Sequence, residues 1–158
     1  MTRIGQLSEV DRPEMGEQIP LVVFRAFRHS SANYVEDLPG RGAAMAFQND
    51  GRELGKGLGE QLQHADLPTY LGRIAEWTRE AKIGLLRPVE ISEERLVVAL
   101  DECITCAGME NTGKRICHFE VGLVAGVVEA YVKRKVRAHE TKCNANGEET
   151  REVTVELA

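Results

Sequence analysis

The sequence predicts an α+β domain in which N-terminal helices pack on a four-stranded antiparallel sheet, in the order α-α-α-β-β-α-β-β. Three observations carry that reading. Apolar residues recur with a helical period up to about residue 80. The period then drops to two over residues 84–103, returns to the helical value over 116–132 and drops again towards the C-terminus. Between the last two alternating runs stands Asn146-Gly147, a strong hairpin-turn signal.

Residues 1–19 read as an irregular polar segment carrying Gly5, Pro13 and Gly16, and residues 20–158 as one domain. Phe24, Phe27, Ser31, Tyr34 and Leu38 follow a 3-4-3-4 spacing, which predicts a helix over 20–37 closed by Pro39-Gly40. The start of that run, Leu21-Val22-Val23-Phe24, fits a strand equally well. A second helix is expected over 41–64, with Ala43, Phe47, Leu54, Leu58 and Leu62 on one face. Gly51, Gly55 and Gly59 recur on it every four residues, as close approach of another backbone requires. They do not form a phosphate loop: three residues, not four, separate Gly51 from Gly55, and Lys56 is followed by Gly57.

A third helix begins after Asp66, an N-cap residue, with Pro68 in its first turn and Leu71, Ile74, Trp77 and Ala81 as its stripe. Strands follow over 84–91 (Leu85, Val89, Ile91) and 94–103 (Leu96, Val98, Leu100). Pro88 makes the first an edge strand, because proline cannot donate to a ladder. The fourth helix, 116–132, shows Phe119, Leu123, Val127 and Tyr131 on one stripe, with Gly122 and Gly126 permitting close packing. Strands over 135–143 and 150–157 complete the sheet.

Bulk properties narrow the function classes. Of 158 residues, 42% are apolar and 28% charged, as in ordinary soluble domains. The net charge of −5 argues against nucleic-acid binding, and the one basic run, Lys133-Arg134-Lys135-Val136-Arg137, is short. The chain has no run of 18 apolar residues and no apolar stretch of the signal-peptide kind, so no membrane span and a cytoplasmic location are expected. Four cysteines in such a chain read as reduced thiols or metal ligands rather than disulfides.

All four fall between positions 103 and 143. Cys103 and Cys106 form a Cys-x-x-Cys where the second strand runs out, a spacing that lets two sulfurs reach one ion. Cys117 stands at the start of the fourth helix, where the helix dipole favours the thiolate. Glu140 and Cys143 lie on the third strand. Positions i and i+3 of a regular strand face opposite ways, so both reach one ion only if the strand bends or ends near Thr141. His139 and Cys143 are the alternative pair on one face. Glu140 shares the inward phase of Val136 and Ala138 and needs a metal, an arginine or a hydrogen-bond network to stay charged. Arg151, inward with Val153 and Val155, is such an arginine.

The run Cys117-His118-Phe119-Glu120-x-Gly122-Leu123-x-Ala125-Gly126, together with Glu140-x-x-Cys143 and the Asn-Gly turn, resembles the 4-vinyl reductase domain family. Gly51-Arg52-Glu53-Leu54-Gly55 also resembles the family's glycine-bearing helix. The resemblance covers most of the chain from about residue 20. It implies an α+β fold akin to ligand-binding and vesicle-tethering domains, and the binding of small hydrophobic molecules. It further implies zinc on a cysteine before the glycine-bearing helix, a Glu-x-x-Cys and a cysteine of the last strand. These map onto Cys117, Glu140 and Cys143, while the last falls on Arg151. Cys106 or Cys103 can supply the missing sulfur, and the expected set is Cys106, Cys117, Glu140 and Cys143. Otherwise Arg151 neutralises Glu140 and the metal is lost.

The function expected is therefore that of a small hydrophobic-ligand-binding domain, a sensor or carrier with a structural zinc site in its C-terminal lobe. Phe24, Phe27, Phe47, Trp77 and Phe119 are the candidate ligand-lining residues. Any output passes through a partner or a homodimer formed on the helical face. Two other readings stand beside it: reduction of a tetrapyrrole vinyl group, for which no flavin or nicotinamide motif is visible, and thiol redox chemistry at Cys103 and Cys106.

Overall fold

The computed structural model describes residues 11–36 and 42–157. Residues 1–10 of the irregular segment, Leu38-Pro39-Gly40 at the expected end of the first helix, and Arg41 lie outside the described residues. The elements are α1 (Leu21–Glu36), α2 (Gly42–Gln61), α3 (Leu67–Glu80), β1 (Leu85–Ile91), β2 (Arg95–Asp101), α4 (His118–Val132), β3 (Arg137–Lys142) and β4 (Arg151–Glu156). Leu21 to Phe24 are helical, which decides between the two readings of that segment. The four strands form one antiparallel sheet in the order β1-β2-β4-β3.

The core explains the layering. Every residue of α4 from Glu120 to Ala130 is buried, so this helix is apolar nearly all round and lies between the sheet and α2. Leu58 of α2, Tyr70, Leu71 and Ile74 of α3, and Leu96, Val98, Val153 and Val155 of the sheet pack with its valines. Tyr70 was not singled out in the sequence, yet it is fully buried and its hydroxyl donates to the Val127 carbonyl at 2.8 Å. Asp66 caps α3 by accepting from the Thr69 amide at 2.9 Å.

Helices α2 and α4 touch backbone to backbone. A Cβ on Gly55 would sit 2.1 Å from the Leu123 carbonyl oxygen, and one on Gly122 would sit 1.9 Å from that of Gln48. No side chain fits between the two helices there. A buried charge network locks the same pair to β3. Arg52 donates to Glu129 and, at 3.1 Å, to the Val136 carbonyl, while the Val136 amide donates to Glu129 at 3.1 Å.

Three expectations need correction. Leu85, Val89 and Ile91 are exposed, and Leu86 is the β1 residue that packs on the core. Leu86 pairs with inward-facing Leu100, and paired residues share a face, so the phase is set one residue away from the expected one. The register also slips between Pro88 and Glu90 on this edge strand. Helix α4 begins at His118, later than 116, because Cys117 is its non-helical N-cap. The β3–β4 connection is longer than a two-residue turn. A 3-10 turn over Asn144–Asn146 leads into Gly147, whose φ of +88° suits glycine.

Candidate ligand cavity and cysteine cluster

A cavity of about 430 Å³ opens between α1, α2, the end of α3 and the start of α4. All five aromatic residues singled out in the sequence, Phe24, Phe27, Phe47, Trp77 and Phe119, stand on its wall. Phe27 is 76% exposed and marks the mouth. Leu54, Ile83, Ile104 and Leu123 complete the apolar lining, and Arg28, Ser31, Asp50 and Glu120 are its polar members. Arg28 stacks on Phe47 with its guanidinium carbon 4.7 Å from the ring centre, and lies 3.9 Å from Glu120. Glu120 also accepts from the Thr105 hydroxyl. Sequence reasoning passed over Arg28 and Glu120, although Arg28 lies four residues from Phe24 and Glu120 ends the Cys-His-Phe-Glu run.

Behind the cavity lies a second, smaller core. Cys103, Cys106, Cys117 and Cys143 are all free thiols with no exposed surface, packed with Leu100 and Ala145. Cys103 follows β2, Cys106 closes the turn after it, Cys117 caps α4 and Cys143 follows β3. Their donor atoms form two overlapping groups, Cys103–Cys106–Cys117 and Cys117–Glu140–Cys143, with the atoms of each group within 4.8 Å of one another. The Cys117 and Cys143 sulfurs are 3.9 Å apart. Sulfurs about 2.3 Å from a tetrahedral zinc stand about 3.8 Å from each other, so this edge has the right length. Closed, buried donors of sulfur and carboxylate type suit a structural metal ion.

The strand does bend where the sequence required it. The β3–β4 register shifts between Glu140 and Lys142, which brings Glu140 and Cys143 into one group. His139 is exposed and takes no part, so the alternative pair His139–Cys143 does not form. Burial pushes the Glu140 carboxyl up to about 8, against the pull of the Arg151 charge. Glu140 accepts from the Cys117 amide at 3.4 Å, and Arg151 Nε lies 3.4 Å from its other oxygen. Burial alone would lower the pKa of Arg151. The neighbouring Glu120, Cys117, Cys103 and Glu140 reverse that and raise it. Hydrogen bonds from Cys106 and Cys117 push the thiols of Cys103 and Cys143 down towards thiolate, and the donors Cys106 and Cys117 are pushed up in return.

One loop joins the two regions. Cys103 and Cys106 give their sulfurs to the cluster, while Ile104 between them stands in the cavity wall and Thr105 holds Glu120 of that wall. Arg25 of α1 donates to the carbonyls of Ile104 and Ala107, each at 2.8 Å.

Four helices over an antiparallel sheet, with an apolar cavity among the helices and a buried cysteine cluster behind it, define a small-molecule-binding type of α+β domain. The chain belongs to the 4-vinyl reductase domain family, whose profile matches residues 96–157. It is 34% identical over 143 residues to the protein MJ0150 of Methanocaldococcus jannaschii, covering 90% of this chain and 79% of that one. It is 28% identical over 131 residues to MJ1642 of the same organism, covering 82% of this chain and 73% of that one. Three solved structures share the fold. The phenol-responsive sensory domain of the transcription activator PoxR, with phenol, superposes with a TM-score of 0.67 at 12% identity, covering 89% of this chain and 76% of that one. A vinyl-4-reductase family protein from M. jannaschii gives 0.60 at 17%, covering 92% and 86%. A trafficking protein particle complex subunit 3 from Naegleria fowleri, covalently bound to palmitic acid, gives 0.66 at 16%, covering 90% and 97%.

Proposed function

We propose that the protein is a small hydrophobic-ligand-binding domain, a sensor or carrier, whose C-terminal lobe is held by a structural zinc ion. The observation that carries the ligand half is the convergence of five aromatic side chains on one cavity of about 430 Å³. That volume lies within the range of small-molecule pockets, which are mostly apolar with a few polar anchors. The relatives crystallised with phenol and with palmitic acid lend support through the shared fold. The test is fluorescence titration with N-phenyl-1-naphthylamine, a neutral apolar dye. Saturable binding that weakens in Trp77→Ala and Phe47→Ala is expected. No binding at any concentration removes the ligand reading.

The zinc half rests on the two donor groups that share Cys117. Cys106, Cys117, Glu140 and Cys143 are the ligands proposed, with Cys103 beside them. When bound, zinc supplies a cross-link between the end of β2, the start of α4 and the end of β3. These residues hold the ion away from water, and the buried Arg151 offsets their negative charge. Elemental mass spectrometry of protein purified under reducing conditions should find one zinc per chain. Glu140→Gln with zinc retained moves the fourth place to Cys103. Four reactive thiols and no zinc would hand the cluster to thiol redox chemistry.

The four cysteines as free thiols suit a reducing compartment, the cytoplasm. Val22 and Val23 on α1 and Met45 on α2 are exposed apolar side chains, and we assign this face to a homodimer contact. Light scattering that finds only monomer at high concentration would sink that assignment.

A further inference from the structure

The Cys103–Ala107 loop belongs to both regions at once, and its contacts alternate between them. Cys103 and Cys106 point into the cysteine cluster. Ile104 points into the cavity wall, and Thr105 hydrogen-bonds Glu120 of the same wall. The carbonyls of Ile104 and Ala107 receive Arg25. Arg25 lies on α1, the helix that contributes Phe24, Phe27, Arg28 and Ser31 to the cavity. Its two hydrogen bonds tie α1 to a backbone 79 and 82 positions away. Arg28 adds a ring contact to Phe47 and a 3.9 Å approach to Glu120, and its Nη2 is buried without a hydrogen bond. The outer side of α1 is exposed at Val22, Val23 and Phe27. The helix that walls the cavity is thus clamped to the backbone of the loop that carries two of the four sulfurs.

We infer that metal occupancy of the cysteine cluster sets the ligand affinity of the cavity, with the Cys103–Ala107 loop as the link and Arg25 as the clamp that holds α1 in place. This rests on the proposed ligand and metal sites. A metal on Cys106 and its neighbours fixes the loop, so the carbonyls of Ile104 and Ala107 stand where the Arg25 guanidinium meets both. Without the metal the loop is released, α1 loses its clamp and the cavity loses one wall. Coupling of this kind is reciprocal: a cavity ligand tightens the metal by the same factor that the metal tightens the ligand.

The experiment measures N-phenyl-1-naphthylamine affinity by fluorescence in zinc-loaded protein, in protein treated with EDTA and in Arg25→Gln. Zinc removal is expected to weaken the dye about tenfold. Zinc-loaded Arg25→Gln is expected to retain one zinc per chain, to bind the dye about as weakly as the metal-free protein, and to respond no further to EDTA. A second measurement avoids any need for a folded metal-free state. Saturating dye should tighten zinc about tenfold in the unsubstituted protein, read by competition with a chromophoric chelator, and leave Arg25→Gln unchanged. Wild-type dye affinity in Arg25→Gln, or a zinc response of wild-type size in that variant, overturns the inference. Absence of dye binding in every form, or of zinc in every preparation, strikes at the ligand or metal site itself and takes the coupling with it.

Discussion

The main core and the cysteine core are equally dry, yet they are held together by different physics. Around α4, valines and leucines from three helices and the sheet pack with one another, and the few polar groups among them are paired, as Tyr70 is to the Val127 carbonyl. Around Cys117, four thiols, Glu120, Glu140 and Arg151 are buried together, and several of their polar atoms lack hydrogen bonds. The first region is stable from area removed from water. The second has little apolar area and concentrates charge, so its stability depends on what neutralises that charge. Burial alone therefore does not say what holds a region; the donors and acceptors inside it do.

Perturbations that strike one core and spare the other sharpen this contrast. The largest effect is expected at the metal. Cys143→Ser, or EDTA, should remove on the order of 10 kcal/mol of stabilisation from the cysteine end. Thermal unfolding followed by circular dichroism checks it, and an unchanged midpoint would count heavily against a structural ion. Next comes Arg151→Met, which leaves Glu140 and Glu120 buried without their cation. A loss of about 3–5 kcal/mol in urea denaturation is expected, as for other broken buried pairs. In the main core, Leu58→Ala should cost about 2–5 kcal/mol through the cavity left behind. The zinc content and the response to EDTA should stay as in the unsubstituted protein; a lowered zinc content would show that the two cores are not separable. The smallest effect is assigned to Gly55→Ala. Its Cβ has only the backbone of Leu123 to displace, so a loss of about 1–3 kcal/mol is expected, read from the urea midpoint.

Much of this was legible before any coordinates, for reasons that differ by element. The helices and the order of the strands follow from apolar periods, which are local. Asp66 as a cap and Pro88 as an edge marker are local as well. The face of β1 was misread because alternation alone does not fix phase; Leu86 faces inward because Leu100 across the ladder does. The choice between His139 and Glu140 hung on a register shift in β3, which only pairing with β4 reveals. Arg25 was invisible in the sequence because its acceptors are so distant along the chain. A long cationic side chain gives no periodic signal of such a partner.

The backbone contact between α2 and α4 reaches beyond stability. Phe47 and Leu54 on one side and Phe119 and Leu123 on the other form the floor of the cavity, and the two helices cannot slide or part without losing the contacts at Gly55 and Gly122. The floor is therefore a fixed gauge. A bulkier guest has to be accommodated by displacing α1 or by trimming Trp77, so selection for guest size should act on residues 21–36 and on the end of α3 while the glycine positions stay constant.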